Sequence, residues 1–255
     1  MDKITLKNKL YRGETCLGTW VFIPSPDIVE IIGLAKFDFA VIDMEHSAIT
    51  LQDAVSMIRA AESRNLTPLI RVSYLDHSCI LRALDSGAHG IQLPHIETAN
   101  DARAAVRYVK YHPIGERGLA TTTKGGGYTL KEVKKHVVRE NKSSLVVASL
   151  ESSESLDELD SILEVAGVDV IYIGPYDLSQ SLGIPGEVDN PRVLKTMENN
   201  IKRIKKAGKI AGSFAQTTKR ARQLKNMGVN YLTCEADGSL IRDSFERIRG
   251  EVCGR

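Results

Sequence analysis

The sequence predicts a single-domain (β/α)8 barrel, and three observations support this fold class. Short apolar or β-branched runs alternate with longer segments of helical periodicity from Cys16 to the C-terminus. There are eight such runs, and their almost continuous apolar character is typical of parallel strands buried on both faces. The length of 255 residues suits one barrel. An open doubly wound sheet would carry a glycine-rich turn after its first strand, where this chain has Pro24-Ser25-Pro26.

The predicted strands are short, apolar and bounded by turn or helix signals. They are Gly18–Phe22, Phe39–Ile42, Pro68–Val72, Gly90–Leu93, Leu145–Leu150, Val168–Ile173, Ile210–Phe214 and Tyr231–Cys234. The predicted helices between them lie near Asp27–Leu34, Leu51–Glu62, Ser78–Asp85, Ala99–Val109, Leu156–Val165, Arg192–Ala207, Thr218–Met227 and Ser239–Arg249. Glycines that follow several helices, such as Gly228, fit left-handed C-caps.

One segment, residues 111–144, departs from this repeat. It contains the glycine run Gly125–Gly127 and a further helical pattern near Leu130–Glu140. Because the alternation resumes in phase afterwards, we expect a mobile rim loop and an extra helix rather than a linker between domains. The glycine run lacks the Gly-Lys-Ser/Thr context of a phosphate-binding loop, so a flexible lid is the better interpretation.

Charge and cysteine content argue against several classes of protein. With 34 basic and 32 acidic residues, the net charge of +2 gives no strong field for nucleic acid or anionic lipid. No apolar run in the sequence approaches the ~20 residues of a membrane span. Four isolated cysteines without a C-x-x-C pair favour neither a disulfide framework nor a zinc site. We therefore expect a cytoplasmic protein.

Charged side chains follow several predicted strands at their carboxyl ends, where the active sites of such barrels lie. Glu151 and Asp177 follow neighbouring strands, and two carboxylates that converge in a half-buried site repel each other unless a cation neutralises them. A hard divalent ion such as Mg2+ or Mn2+ would keep positions open for water and a chelating substrate. The alternative is that one carboxylate is a loop residue paired with a surface lysine.

His46 and Asp43 lie together after the second strand, in the segment DMEHS at 43–47. A histidine can take a proton on one ring nitrogen while a carboxylate orients the other. Asp43 is the predicted orienting residue, and Asp85 is a second possible partner. His46 could instead be an ordinary partly buried histidine, and Asp85 a cap or surface charge.

Arg71 ends the third apolar run, and a guanidinium buried there requires an anion. An oxyanion or carboxylate of a substrate would match its planar fork, and a salt bridge to a neighbouring acidic residue is an equally open explanation. The other histidines show no ligand spacing, and most are interpreted as surface or packing residues: His77, His89, His95, His112 and His136.

Taken together, these residues resemble the HpcH/HpaI aldolase family of metal-dependent class II pyruvate aldolases. The similarity is carried by DMEHS at 43–47, Arg71, Glu151, IGPYDLS at 173–179, YHPIGERG at 111–118 and GVD at 167–169. It extends over almost the whole chain. The resemblance implies a barrel of the phosphoenolpyruvate/pyruvate type, commonly hexameric, with its last helix exchanged between subunits.

The resemblance also implies roles for individual residues. Glu151 and Asp177 correspond to the ligands of a divalent metal (Mg2+, Mn2+ or Co2+), and His46 to the residue that acts through water as base and acid. Arg71 corresponds to the group that stabilises the pyruvate enolate. Asp85 corresponds to an aspartate, of the same or the adjoining subunit, that raises the basicity of the histidine. The implied substrate contacts are Arg71, Ser149, Gly174, Pro175, Tyr176 and Phe214, the last in the aldehyde pocket.

Two positions depart from the family pattern. Many members carry glutamine two residues before the metal-binding glutamate, where this chain has Ser149, and a small residue is frequent where it has Glu235. The first difference concerns how the substrate carboxylate is held. The second adds negative charge near the barrel opening, which disfavours acidic aldehydes.

The expected activity is reversible cleavage of a 4-hydroxy-2-oxo acid into pyruvate and an aldehyde. Three alternatives stay open: a Schiff-base aldolase, a citrate-lyase-like enzyme acting on a thioester, and an inactive barrel used for binding. The first needs a lysine at a strand end, whereas Lys124 lies in the loop and Lys209 precedes its strand. The expected partners are a small-molecule substrate and further copies of the chain, with no nucleic acid and no membrane.

Overall fold

Eight parallel strands form a closed barrel in the order β1 to β8 in the computed structural model, which describes residues 4–129 and 131–254. The strands are β1 (Cys16–Val21), β2 (Phe39–Asp43), β3 (Thr67–Arg71), β4 (Gly90–Leu93), β5 (Leu145–Leu150), β6 (Val170–Ile173), β7 (Ile210–Ala215) and β8 (Tyr231–Ala236). Each strand pairs with the next, and β8 closes on β1. All eight predicted strands and the barrel are confirmed.

Helices cover the outside of the barrel between the strands. They are α1 (Ile4–Tyr11), α2 (Pro26–Leu34), α3 (Leu51–Ser63), α4 (His77–Asp85), α5 (Ala99–Val109), α6 (Val133–Ser143), α7 (Ser153–Asp157), α8 (Leu159–Leu163), α9 (Pro175–Ser181), α10 (Pro191–Lys206), α11 (Thr218–Met227) and α12 (Asp237–Cys253). The predicted helices are present, with the one after β5 divided into α7 and α8. Across the described residues, no helix combines the length and the apolar character needed to cross a membrane.

The strands divide their side chains between two apolar cores. Ile42 and Ile70 belong to the core between barrel and helices, whereas Phe39, Val41 and Leu69 fill the barrel interior. Both faces of each strand are therefore buried, which explains why the strands read as continuous apolar runs.

Helix α1 closes the end of the barrel at which the strands begin, and the sequence does not predict it. Leu6 and Leu10, both 2% exposed, join the interior core from one face of the helix. Lys7 and Tyr11 anchor the helix to Asp169, with the Lys7 Nζ to Asp169 Oδ1 distance at 2.8 Å. Two apolar residues on one face of a short helix give little periodic signal.

The segment of residues 111–129 lies at the same end of the barrel as α1, because it follows the end of α5 and the chain continues through α6 to the start of β5. Three contacts tie it to the outer helices: Arg117 to Asp85, Lys124 to Glu62 and Tyr128 to Arg59. These contacts hold part of the segment that the sequence predicts to be a mobile rim loop, and they lie at the end of the barrel where the strands begin. The extra helix is present as α6, while Leu130 lies outside the described residues.

The close pairing of β4 and β5 requires glycine at position 90. A methyl group on Gly90 would lie 2.6 Å from Leu145 Cβ and 2.7 Å from the Leu145 carbonyl oxygen. Gly90 and Leu145 are paired in register, so the strands cannot separate locally without losing hydrogen bonds. We expect Gly90→Ala to lower the free energy of unfolding by ~2 kcal/mol, a fall in Tm of roughly 4–8 °C by scanning calorimetry.

Gly238→Ala is the matched control for this substitution. An added methyl group at Gly238 has nothing within 4 Å, and the residue lies inside α12. Its Tm should stay unchanged or rise slightly, because alanine favours helix over glycine. A Gly90→Ala variant as stable as this control would show that the strands tolerate the methyl group.

Candidate active site

The predicted functional residues converge at the end of the barrel where the strands terminate. Asp43 ends β2 and Arg71 ends the neighbouring β3. Glu151 follows β5 directly, and Asp177 lies in the first turn of α9, which follows β6. Because the strands are parallel, the charged residues at the ends of β2 and β3 and those that follow β5 and β6 face the same opening of the barrel.

Arg71 is fixed by a buried carboxylate. Its Nε and Nη2 atoms donate to the two oxygens of Asp43 at 2.9 and 2.7 Å, and Asp43 is fully buried. Its Nη1 atom lies 3.0 Å from Glu45 Oε2, and the guanidinium carbon lies 4.3 Å from the centre of the Trp20 ring. Burial alone would lower the pKa of Arg71, but the hydrogen bonds and charge of Asp43 raise it above its ordinary value.

His46 lies at the edge of the site, and Asp43 does not orient its ring. Both Asp43 oxygens accept from Arg71, and they also accept from the backbone N–H groups of Glu45 and His46 at 2.9 and 3.3 Å. The prediction of Asp43 as the orienting residue is therefore corrected, because the guanidinium occupies this carboxylate. Glu45 is the carboxylate beside the ring, with 3.8 Å between its Oε2 atom and His46 Nε2.

Glu151 and Asp177 form the carboxylate pair expected from the sequence, and both line one chamber. The Glu151 side chain is only 11% exposed. Burial raises the pKa of Glu151 to about 7, with the charge of Asp177 adding to the rise and His95 opposing it. Burial and the charge of Asp177 thus both disfavour the ionised form of Glu151.

Gly174 leaves space between the two carboxylates. A Cβ atom on Gly174 would lie 3.0 Å from Asp177 Oδ2 and 3.7 Å from Glu151 Cγ. A partly buried carboxylate, Glu151, and an exposed one, Asp177, with open space beside them fit a hard divalent cation that keeps water and substrate ligands. Over residues 4–129 and 131–254, no group of three or more His, Cys, Asp or Glu side chains is arranged to hold an ion.

His95 belongs to the site although the sequence analysis does not single it out. Its Nδ1 atom lies 2.9 Å from Glu151 Oε2, and its Nε2 atom lies 3.4 Å from Glu45 Oε1. His95 comes two residues after the end of β4. Its position at a strand end is a signal for a site residue, whereas its spacing from other potential ligands is not. Glu45 lies inside the segment DMEHS, but the sequence assigns it no role.

A chamber of about 160 Å³ lies between Arg71 and the carboxylate pair. The other walls are mainly apolar, and they are formed by Trp20, Phe22, Tyr172, Gly174, Pro175, Tyr176, Phe214 and Ala236. The ring centres of Tyr176 and Phe214 are 6.1 Å apart. An apolar chamber with a few converging charged groups is the usual form of a small-molecule site.

Two predicted residues lie away from the chamber. Ser149 is fully buried in the barrel interior, where its hydroxyl accepts a hydrogen bond from Gln92 Nε2 at 3.2 Å. Asp85 ends α4 at the end of the barrel where the strands begin, and it binds Arg117 at 3.0 Å. Asp85 therefore cannot reach His46 of the same chain, because α4 runs from one end of the barrel to the other.

Comparison with known proteins agrees with this geometry. The family model described as HpcH/HpaI aldolase/citrate lyase matches residues 17–244. The 2-keto-3-deoxy-L-rhamnonate aldolase of Escherichia coli O17:K52:H18 is 33% identical over 241 residues, which are 94% of this chain and 90% of that protein.

Solved structures of similar proteins share the whole fold. An HpcH/HpaI aldolase/citrate lyase family protein from Burkholderia cenocepacia J2315 superimposes with a TM-score of 0.93 at 32% identity, covering 98% of this chain and 99% of that one. The HpcH/HpaI aldolase from Desulfitobacterium hafniense DCB-2 has a TM-score of 0.93 at 28% identity, with 98% and 96% covered.

The relatives and the family model agree on the type of reaction. The protein is a carbon–carbon lyase of the class II aldolase type, which cleaves hydroxy-oxo acids to pyruvate and an aldehyde. With a family model that spans most of its length and relatives that align along nearly all of it, the chain belongs to the HpcH/HpaI aldolase/citrate lyase family.

Proposed function

We propose that this aldolase cleaves a 2-keto-3-deoxy sugar acid to pyruvate and a short hydroxyaldehyde, with a divalent cation held by Glu151 and Asp177. The observation that carries the proposal is the chamber, which two carboxylates line together with Arg71 while apolar rings form the remaining walls. The name of the curated relatives, 2-keto-3-deoxy-L-rhamnonate aldolase, supports the substrate class.

The walls of the chamber favour a short, uncharged aldehyde. Cleavage of a deoxyrhamnonate skeleton next to its pyruvyl part leaves a small hydroxyaldehyde that ends in a methyl group. Trp20, Phe22 and Phe214 offer apolar contacts to such an end. Glu235, at the end of β8, places a negative charge near Tyr176, where it adds to burial in raising the pKa of the Tyr176 hydroxyl. An aldehyde with a carboxylate tail is therefore disfavoured.

The metal proposal rests on the donor set and on the family. Metal dependence is typical of HpcH/HpaI aldolases, and carboxylate oxygens suit Mg2+, Mn2+ or Co2+. When bound, such an ion would polarise the 2-oxo group of the substrate as a Lewis acid. The backbone around Gly174, Pro175 and Tyr176 is the proposed contact for the pyruvate carboxylate.

Arg71 has the geometry to stabilise the enolate that forms when the bond between C3 and C4 breaks. Asp43 fixes its guanidinium through two hydrogen bonds, so no reorientation is needed as negative charge grows on the substrate oxygen. A preorganised donor of this kind contributes about 3 kcal/mol to transition-state stabilisation.

His46 is the proposed base for the 4-hydroxyl proton. Its side chain is 67% exposed, so its ring is open to substrate, and Glu45 beside it would stabilise the protonated ring. Removal of the proton from the 4-hydroxyl oxygen allows C4 to become the aldehyde carbon. The electrons of the bond between C3 and C4 pass to the pyruvate enolate. Protonation of the enolate at C3 then gives pyruvate.

We also propose that the chain forms a homo-oligomer, a hexamer by resemblance, through exchange of α12. This helix has 17 residues, of which only Asp237 is buried. Phe245, Ile248 and Val252 lie one helical turn apart and are 68%, 50% and 79% exposed, which is the pattern of a face covered by another subunit. In such an assembly Asp85 would meet the histidine of a neighbouring subunit. A cytoplasmic location stays an expectation.

The activity test is a coupled lactate dehydrogenase assay with a panel of 4-hydroxy-2-oxo acids, with EDTA or with added Mg2+, Mn2+ or Co2+. We expect pyruvate formation that EDTA abolishes and metal restores, with 2-keto-3-deoxy-L-rhamnonate among the good substrates.

Asp177→Asn removes one charged ligand and should lower metal affinity and activity at least about tenfold, with an unchanged Tm. Asp157→Asn, at an exposed carboxylate of α7 that does not line the chamber, is the matched control.

Three outcomes would contradict this proposal. Full turnover by Asp177→Asn would remove that residue from the ligand set. A lysine adduct trapped by borohydride with pyruvate would indicate Schiff-base chemistry, although Lys209 binds the carbonyl oxygens of Val165 and Val168 before β7 begins. Turnover restricted to thioester substrates would favour the citrate-lyase-like alternative.

Arg71→Lys tests enolate stabilisation directly. Lysine cannot reproduce the planar fork that binds Asp43, so we expect the exchange of pyruvate methyl protons with D2O, followed by NMR, to slow by about 100- to 1,000-fold. Arg222→Lys, at an exposed position of α11, should exchange at the native rate. An equal exchange rate in Arg71→Lys would exclude Arg71 from this step.

The double variant Phe245→Glu/Ile248→Glu tests the proposed exchange of α12. Two carboxylates on the apolar face should prevent its burial, so light scattering after gel filtration should show a smaller species. Glu246→Lys changes charge on the polar face of the same helix and should keep the native mass. A native protein that is already monomeric would disprove the proposed assembly.

A further inference from the structure

We propose that His95 is a positioning residue that holds the Glu151 carboxylate for cation binding, an inference that rests on the proposed metal site. His95 follows β4, and β4 lies between β3, which ends at Arg71, and β5, which precedes Glu151. Its ring contacts Glu151 on one side and Glu45, which lies beside Arg71, on the other.

The first support is that both the backbone and the ring of His95 lie against one oxygen of Glu151. The backbone N–H donates to Glu151 Oε2 at 3.2 Å, and the Nδ1 atom lies 2.9 Å from the same oxygen. One hydrogen bond and a ring atom in close contact restrict rotation of the carboxylate, and both involve Oε2 rather than Oε1. An outer partner of this kind orients a metal ligand and is a regular component of metal sites.

The second support is the backbone conformation that makes this geometry available. His95 has φ +52°, in the left-handed region that residues other than glycine adopt uncommonly, with histidine among the more frequent of them. This conformation turns both the N–H group and the ring towards Glu151. Such strained residues cluster where a side chain must be held in one place.

The third support is the continuation of the contacts towards Arg71. His95 Nε2 lies 3.4 Å from Glu45 Oε1, and Glu45 Oε2 lies 3.0 Å from Arg71 Nη1. Both ring nitrogens therefore face carboxylates, and the ring bridges the Arg71 side of the site to the Glu151 side. Because the His95 side chain is 66% exposed, its contribution is that of a partly screened contact.

A role as a third metal ligand fits the structure less well. The Nδ1 atom is already directed at Glu151 Oε2, and the described residues contain no arrangement of three potential ligands around one point. His95 is therefore assigned to the carboxylate and not to the ion.

The test measures Mn2+ binding to metal-free protein by isothermal titration calorimetry. His95→Gly keeps the left-handed backbone and its N–H donor but removes the ring, and we expect a dissociation constant about 3- to 10-fold higher. His95→Asn also tolerates this backbone and carries a side-chain N–H donor, so it should recover most of the affinity. Lys36→Gly, at an exposed residue with φ +64°, controls for glycine in this conformation and should bind as the native protein does.

The outcomes separate this inference from the proposed function. Equal Mn2+ affinity in His95→Gly and the native protein would overturn it. Tighter binding in His95→Gly would overturn it too, because His95 would then compete with the ion. If His95→Asn binds as weakly as His95→Gly, the imidazole itself is a ligand and the positioning role is wrong. Absence of Mn2+ binding by the native protein would overturn the metal site and, with it, the role of His95.

Discussion

Repulsion between Glu151 and Asp177 is the constraint on which the organisation of the active site depends. The barrel brings these carboxylates to one half-buried chamber, and burial together with their proximity raises the pKa of Glu151. Arg71 lines the same chamber, and His95 contacts Glu151 directly. Gly174 contributes by leaving the space beside the carboxylates empty of side-chain atoms.

The sequence predicts the barrel and the convergence of its charges for the same physical reason. Strands buried on both faces are recognisable as apolar runs, and parallel strands end on one side of the sheet. Any charged residue that directly follows such a run is thereby placed at the opening, which is why Arg71, Glu151 and Asp177 could be located together. Phe214 enters the chamber for the same reason, because it lies near the carboxyl end of β7.

Features that depend on side-chain direction or on backbone conformation could not be read from the pattern. Asp43 lies next to His46 in sequence, yet its carboxylate turns to Arg71 on the neighbouring strand. The left-handed conformation of His95 could not be predicted, because histidine adopts it more often than most residues but still only in a minority of positions. The pattern also gives no sign that Ser149 is buried inside the barrel or that Asp85 lies at the end where the strands begin.

The chamber is divided between two arcs of the barrel. The charged groups come from the stretch β2 to β6 and the residues that follow β6, while Trp20, Phe22, Phe214 and Ala236 lie on or directly after β1, β7 and β8. Trp20 also packs on Arg71, whereas Phe22, Phe214 and Ala236 can change the shape of the chamber without contacting that guanidinium. This modular division gives a lineage of such enzymes a route to new carbon–carbon bond specificities while the enolate chemistry stays intact.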